Sequence, residues 1–263
     1  MLSAVGLGLV LLGSGSGGNC ALLKSNGRRF LVDVGLSARE ITKRLQAIGE
    51  DPEKIDAIFL THEHEDHARG LKRWTKLYPR PVLGTPATLE AVAEDLGDGA
   101  QPVELKAGDA LDVSGLWLQA FSVCHDAADP VGFVFSDGSS RIGFATDLGF
   151  VTALVVERLR DCEAVVIEAN HDIDLLREGP YPWFLKQRLM SRTGHLSNDA
   201  CAGLIREAAG RTTRHLVLAH LSQFNNEPAL AFLAGESALK AVGLPTVEVQ
   251  VAAADRPSDP ITL

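Results

Sequence analysis

Three histidines and an aspartate fall within six positions in Thr61-His62-Glu63-His64-Glu65-Asp66-His67. Imidazole nitrogen and carboxylate oxygen are the donors that divalent ions such as Zn²⁺ and Mn²⁺ accept. The segment ends the apolar run Ile55–Thr61, so it stands where a strand leaves a sheet. Side chains two apart in extended backbone share a face, so His62 and His64 can meet one ion. Asp66 and His67 then turn toward a second ion as the chain enters a helix. The plain alternative is a solvated histidine-rich loop, but packing gives no reason to gather four ligating groups there.

Other residues of the same chemistry stand at comparable places. His125 follows the run Leu116–Val123 and precedes Asp126, a carboxylate able to orient its ring. Asp147, after Arg141–Ala145, could bridge two ions, and His220 ends the run His215–Ala219. Each alone would be an ordinary loop residue. Together they mark strand exits, where α/β sheets build sites. Asp33 also ends a strand and could brace the histidine loop. Glu168 and His195 supply a carboxylate and an imidazole that could form an acid/base pair beside the ions. For His171, in Ala169-Asn170-His171-Asp172, helix capping, substrate contact and catalysis all stay open. His215 begins a strand and reads as structural.

The run Gly13-Ser14-Gly15-Ser16-Gly17-Gly18 matches G-x-G-x-x-G, with Asp33 at about the distance of a ribose-binding acid. A dinucleotide fingerprint must open a helix whose N-terminus receives the pyrophosphate. Here strand-like residues and a Ser25-Asn26-Gly27 hairpin signal follow instead. No nucleotide cofactor is expected. The run reads as a tight loop beside the site, with Ser14, Ser16 and Asn19 offered to a substrate phosphate.

These groups need a frame. The chain has 263 residues, enough for a large buried core, and 46% hydrophobic content is ordinary for a globular protein. Strand-like runs dominate the first part: Val5–Leu12, Cys20–Lys24, Arg29–Val34 and Ile55–Thr61. Helices are expected after Ser37, with Ile41, Leu45 and Ile48 on one face, and after Thr85-Pro86. Strands return over Leu116–Val123, Val131–Phe135 and Arg141–Ala145. Beyond Asp147 helices (Thr152–Leu159, Pro182–Met190, Asn198–Ala209, Glu227–Val242) alternate with strands (Ala164–Glu168, His215–Ala219, Val247–Ala252). Two strand-rich halves interleaved with helices predict an α/β fold of four layers, αββα. No linker divides it, so residues 1–263 read as one domain, with 1–8 a dispensable N-terminal extension.

Net charge is −9 and no basic stripe stands out; Lys72, Arg73, Lys76 and Arg80 read as a solvated helix face. That excludes long wrapping of duplex nucleic acid, but not a nuclease, because bound ions would make the site itself positive. Cys20, Cys124, Cys162 and Cys201 form no CxxC pair and read as buried thiols of a reducing compartment. Leu2–Leu12 lacks a basic flank and is too short to span a bilayer, so a cytoplasmic protein with no membrane partner is expected.

The pattern resembles a known family. His62-x-His64-x-Asp66-His67 is the signature of the metallo-β-lactamase superfamily. Leu12–Asn19, Val32-Asp33-Val34-Gly35, His125–Pro130, Thr146–Gly149, Ile167–Asp172, Gly194–Asn198 and Leu218–Ser222 are similar to its bacterial YycJ/WalJ-like branch, related to tRNA 3′-processing and RNase J-type nucleases. The resemblance implies the αββα fold, two divalent ions (Zn²⁺ or Mn²⁺) and 5′-to-3′ exonuclease action on DNA. It assigns His62, His64 and His125 to one ion and Asp66, His67 and His220 to the other, with Asp147 bridging. His195 would assist the leaving group. Gly17 stands where the branch usually has Ser, and Ala169 likewise; neither change removes a ligand. The large inserted domain with which RNase J-type enzymes grip RNA is also missing, which favours DNA.

The expected chemistry is attack on phosphorus by a hydroxide generated on the ions, whose bound water ionises near pH 7 on catalytic zinc. Asp66 orients it and His195, polarised by Glu168, protonates the departing oxygen. The alternative on the same scaffold is a hydrolase of a small phosphodiester, thioester or lactone. A flavodiiron-type redox enzyme and a non-catalytic binding module fit less well: the first needs a flavin partner domain, and the second has no reason to keep all seven ligand positions.

Overall fold

A computed structural model describes residues 6–263. The first half contributes β1 (Gly8–Gly13), β2 (Cys20–Ser25), β3 (Arg28–Val32), β4 (Ala57–Phe59), β5 (Pro81–Gly84) and β6 (Gln101–Glu104). It also holds helices α1 (Ala38–Ala47), α2 (Glu65–Ala68), α3 (Leu71–Leu77) and α4 (Pro86–Ala91). The second half holds β7 (Ala110–Val113), β8 (Leu116–Ser122), β9 (Val131–Ser136), β10 (Arg141–Ala145), β11 (Ala164–Glu168), β12 (His215–Ala219) and β13 (Glu248–Val251). Its helices are α5 (Ala153–Leu159), α6 (Ile173–Glu178), α7 (Trp183–Leu189), α8 (Asn198–Ala208) and α9 (Pro228–Ala241), and β14 (Ile261–Thr262) closes the chain.

Two seven-stranded sheets result, ordered β14-β1-β2-β3-β4-β5-β6 and β13-β12-β11-β10-β9-β8-β7. Strand alternation sorts the apolar residues into three layers. Leu9, Leu11, Leu23, Phe30 and Phe59 point between the sheets and meet Leu118, Phe133, Phe135, Val166 and Val217. Val10, Leu22, Leu31 and Ile58 face outward onto Ile41 and Leu45 of α1 and Leu71 and Trp74 of α3. On the other side, Val165, Ile167, Leu216 and Leu218 back onto Val155, Leu204, Ile205 and Leu239 of α5, α8 and α9. Phe59 lies 5.4 Å from Phe30 and 5.5 Å from Phe135, ring to ring. Each such buried ring contributes about 1.5–3 kcal/mol. This is the four-layer αββα arrangement.

Local signals act where expected. Asn26 (φ 50°) and Gly27 (φ 79°) make the β2–β3 hairpin turn, and the Ser37 side chain caps α1 by accepting from the Glu40 amide. Lys72, Arg73 and Lys76 do lie on the exposed face of α3. The glycine run leads into β2 rather than a helix. Other boundaries differ. β4 stops at Phe59, two residues before the expected end, because the Thr61 amide turns aside to Asp33 at 2.8 Å. The expected start of the first strand, Val5, lies outside the described residues. Leu7 is fully buried and Gly8 pairs with Thr262, so the fold has already begun within the segment expected to be dispensable.

β3 to β6 run parallel, as do β10 to β13. The C-terminal ends of both sets open on one edge of the sandwich. There the Val131 amide donates to the Thr61 carbonyl at 3.0 Å, tying the two sheets together.

Candidate metal centre

Three strand exits carry their residue in the left-handed region: Asp33 (φ 60°), Asp147 (φ 59°) and His220 (φ 56°). For a residue with a side chain that conformation costs about 1–2 kcal/mol. It persists because hydrogen bonds on each side fix it: the Asp33 amide donates to Phe59 at 2.8 Å, and the His220 amide donates to Ser14 Oγ at 2.8 Å. The bend turns each side chain out of the pleat and into the gap between the sheets.

The hydrogen bonds assign the ring protons. Thr61 Oγ1 has one proton and donates it to Asp33 at 2.9 Å, so it accepts from His62 Nδ1 at 2.9 Å. His62 Nε2 is therefore bare, buried and without a partner. His64 Nε2 donates to the Asp126 carbonyl at 3.2 Å, and His125 Nδ1 donates to the Gly194 carbonyl at 3.0 Å. That leaves His64 Nδ1 and His125 Nε2 as lone pairs facing each other at 3.3 Å. Two bare acceptors at hydrogen-bond distance repel unless a cation lies between them. The three nitrogens lie within 4.8 Å of one another, and burial holds the pKa of His62 well below, and that of His125 below, the usual histidine value, so both rings are neutral ligands.

A second cluster is built with carboxylates. His67 Nδ1 donates to Asp33 Oδ2 at 2.8 Å, and His220 Nδ1 donates to Glu168 Oε1 at 3.0 Å. Their Nε2 atoms then face Asp147 Oδ2 at 3.2 Å and Asp66 Oδ2 at 3.1 Å respectively. Burial opposes charge on both rings, yet Asp147, helped by Asp33 for His67 and by Asp66 and Glu168 for His220, lifts their pKa values well above normal. The field demands positive charge, and a divalent ion displaces ring protons to supply it. Asp147 lies between the clusters. Its Oδ1 is 3.5 Å from His220 Nε2 and 3.8 Å from His125 Nε2, and its buried Oδ2 has no hydrogen bond. The donor set fits divalent ions held by His62, His64 and His125 on one side and Asp66, His67 and His220 on the other.

Glu168 is fully buried and ties the second cluster to His195. Its Oε1 accepts from His195 Nδ1 at 2.7 Å as well as from His220, and its Oε2 accepts the Leu148 and Leu196 amides at 2.9 and 3.0 Å. Burial alone would raise its pKa; the charge on His195 and the ring hydrogen bonds reverse this and hold it at about 2. Burial also works against charge on His195, but Glu168 wins and the ring's pKa is raised. The His195 side chain keeps 16% of its surface and stands 3.7 Å from Asp147 Oδ1.

Six of the eight histidines thus converge with Asp66, Asp147 and Glu168. Asp33 braces the loop through Thr61 and His67. Four expectations need correction. Asp126 does not orient the His125 ring; the Gly194 carbonyl does, while the Asp126 carboxylate pairs with Arg188 Nε at 2.6 Å and its carbonyl holds His64. Ser14, expected to meet a phosphate, is buried against His220 and Asn19. Asn19 is buried too, its amide 3.2 Å from Asp66 Oδ2 and 3.1 Å from His67 Nε2; only Ser16 of that set is exposed. His171 is buried beside α8, its carbonyl accepting the Asn198 amide at 2.8 Å, and burial pushes its pKa down to about 4. His215 pairs with Glu248 at the far end of β12.

Thr61, Gly194 and Asn170 also support the ligands, beyond the residues expected from sequence. Thr61 stood inside the quoted motif, and Asn170, which donates to the His220 carbonyl at 2.9 Å, stood beside His171. Gly35 had a legible reason only in space: a Cβ there would lie 1.7 Å from the Asp66 carbonyl, so the ligand loop requires glycine beneath it.

Residues 28–221 match the family model described as a Beta-lactamase superfamily domain. The chain is 35% identical to the exodeoxyribonuclease WalJ of Streptococcus pneumoniae over 236 residues, 88% of each chain. It is 32% identical to the exodeoxyribonuclease YycJ of Bacillus anthracis over 241 residues, 91% of each. Among solved structures, the metallo-β-lactamase fold protein YhfI from Bacillus subtilis superposes with a TM-score of 0.75 at 16% identity, over 96% of this chain and 99% of that one. Left-handed strand exits, two ligand clusters around Asp147 and similarity along nearly the whole length agree: the chain belongs to the metallo-β-lactamase superfamily, in its WalJ/YycJ branch.

Proposed function

We propose that this chain is a metal-dependent exodeoxyribonuclease that hydrolyses DNA from the 5′ end, with two Zn²⁺ or Mn²⁺ ions and in the cytoplasm. The observation that carries this reading is the pair of histidine- and carboxylate-lined clusters flanking Asp147, with His195 anchored beside them. Relatives named as exodeoxyribonucleases, similar over 88% of both chains, support the substrate. Bound divalent ions supply electrophilic stabilisation of the phosphoryl oxygens and acidify water. The chain's own residues do the rest. Asp66, its side chain 24% exposed, orients the attacking water. His195 donates a proton to the departing oxygen as the phosphorus–oxygen bond breaks, and Glu168 keeps that ring in register. Ser16, on the exposed tip of the glycine loop, meets a substrate phosphate on this reading.

The test is a time course with Mn²⁺ and 5′-phosphorylated single-stranded DNA labelled at its 3′ end, run beside Asp66→Ala. A ladder shortening from the 5′ end, seen only with the unaltered chain, is expected. An intact oligonucleotide, with metal shown to be bound, would overturn the reading in favour of a small phosphodiester or ester.

A further inference from the structure

Aromatic residues make up 6% of the chain, and while seven of them are buried, several large ones stand exposed around the metal centre. Phe224 is 63% exposed, four residues after His220. Phe184 is 72% exposed in α7, and Trp183 beside it is exposed as well. Phe184 precedes Arg188 by four, so the two share a helix face, and Arg188 reaches Asp126 next to His125. Phe150, three residues after Asp147, carries the Arg192 guanidinium 4.3 Å over its ring. By contrast, exposed Trp117 sits at the N-terminal end of β8, the end remote from His125.

The position of Phe224 is built, not loose. Buried amides clamp the loop that bears it. Asn170 donates to the His220 carbonyl, the Ser222 amide donates to Asn170 at 2.8 Å, and Asn226 donates to Ala169 at 2.8 Å and to Asn198 at 2.9 Å. The Asp172 amide donates to the Asn225 carbonyl at 2.8 Å. Tyr181, leading into α7, lies 5.9 Å from the Phe224 ring. A protein that orders an exposed phenyl ring with buried amides, and loses solvent entropy around it, gains only if something stacks there.

Charge narrows the occupant. The chain's net charge is −9, but residues 179–198 carry the exposed Arg188 and Arg192 with no Asp or Glu, and residues 218–226 contain no acid either. Exposed aromatic faces interleaved with cations, beside a phosphodiester-cleaving centre, match single-stranded nucleic acid. Every base has a face to stack, whereas a duplex hides its own. We infer that Phe184 and Phe224, supported by Tyr181, form a stacking platform for unpaired bases of a DNA strand leading to the metal centre, with Arg188 and Arg192 toward its phosphates. This rests on the polynucleotide reading above and adds the strand form.

The experiment is fluorescence anisotropy with the metal-loaded full chain and a labelled phosphorothioate oligothymidylate, alongside the same backbone with abasic sites. The Phe184→Ala/Phe224→Ala double variant is expected to bind the oligothymidylate at least about tenfold more weakly. Phe224→Tyr retains affinity, and so does Trp117→Ala. The abasic strand binds the unaltered chain about as weakly as the thymidylate binds the double variant. Equal affinity of the double variant and the unaltered chain, or no loss on removing bases, overturns the platform while leaving the nuclease intact. An unaltered chain that neither binds nor cleaves any oligonucleotide overturns the polynucleotide reading itself.

Discussion

The two ligand clusters are braced by different chemistry. Around His62, His64 and His125 every ring proton goes to a neutral acceptor: the Thr61 hydroxyl, the Asp126 carbonyl and the Gly194 carbonyl. Around His67 and His220 the ring protons go to the buried carboxylates Asp33 and Glu168. A carboxylate behind an imidazole makes it a stronger donor and fixes its orientation more firmly. The second cluster also offers the Asp66 carboxylate beside its two rings. The ion beside Asp66, His67 and His220 should therefore be held more tightly, and the ion on the three neutral-braced histidines should exchange more readily.

The largest effect should come from the residue the two clusters share. Asp147→Ala removes the carboxylate that lies between the clusters, so activity should fall to background and plasma mass spectrometry should find both ions depleted. The circular dichroism spectrum should not change, because Asp147 is a strand-exit residue rather than core. A variant that keeps two ions would show that Asp147 does not couple the clusters.

Next is Glu168→Gln, which keeps the shape and removes the charge behind His220 and His195. Losing the group that holds a ligand ring in this way costs about 10–100-fold in metal affinity or activity. A glutamine also presents NH₂ to one of its partners, and a buried amide left unsatisfied costs about 1–3 kcal/mol. Turnover and melting temperature should both drop. Asp33→Asn should weaken one ion about 10–100-fold while affecting the other less, read by chelator competition monitored as ions released. Equal weakening of both would break the contrast, because it would make Thr61 as dependent on Asp33 as His67 is.

The contrast was half visible in the sequence. The ligands at strand exits were legible because ligating residue types there have no packing reason, and because apolar runs ended beside them. The braces were less so. Asp33 and Glu168 announced themselves as charged residues ending buried strands. A backbone carbonyl has no letter of its own, so nothing in the sequence marks Gly194 as the support of His125, and the adjacent Asp126 is the residue that invites the role. Sheet edges were also hard to read: β6 is exposed along its whole length and carries Pro102, so no alternation marks it. Small polar residues in glycine loops look alike in sequence whether they face a ligand or, as Ser14 and Asn19 do, hold up His220 and the Asp66–His67 turn.

The smallest effect is the sharpest check on that lesson. If the Asp126 carbonyl, not its carboxylate, steadies His64, then Asp126→Ala should leave the first ion in place. What it removes is the pair with Arg188, whose side chains are 31% and 56% exposed. Such a solvent-screened pair contributes about 0–1 kcal/mol. Ion affinity at the His62, His64 and His125 cluster should therefore stay within about fivefold, a bound set by that same screened energy. Isothermal titration of the partly stripped protein reads it directly. A tenfold or larger loss would mean that the carboxylate 3.4 Å from His125 Nε2 acts on the ion after all, and the first cluster would no longer differ from the second in having only neutral supports.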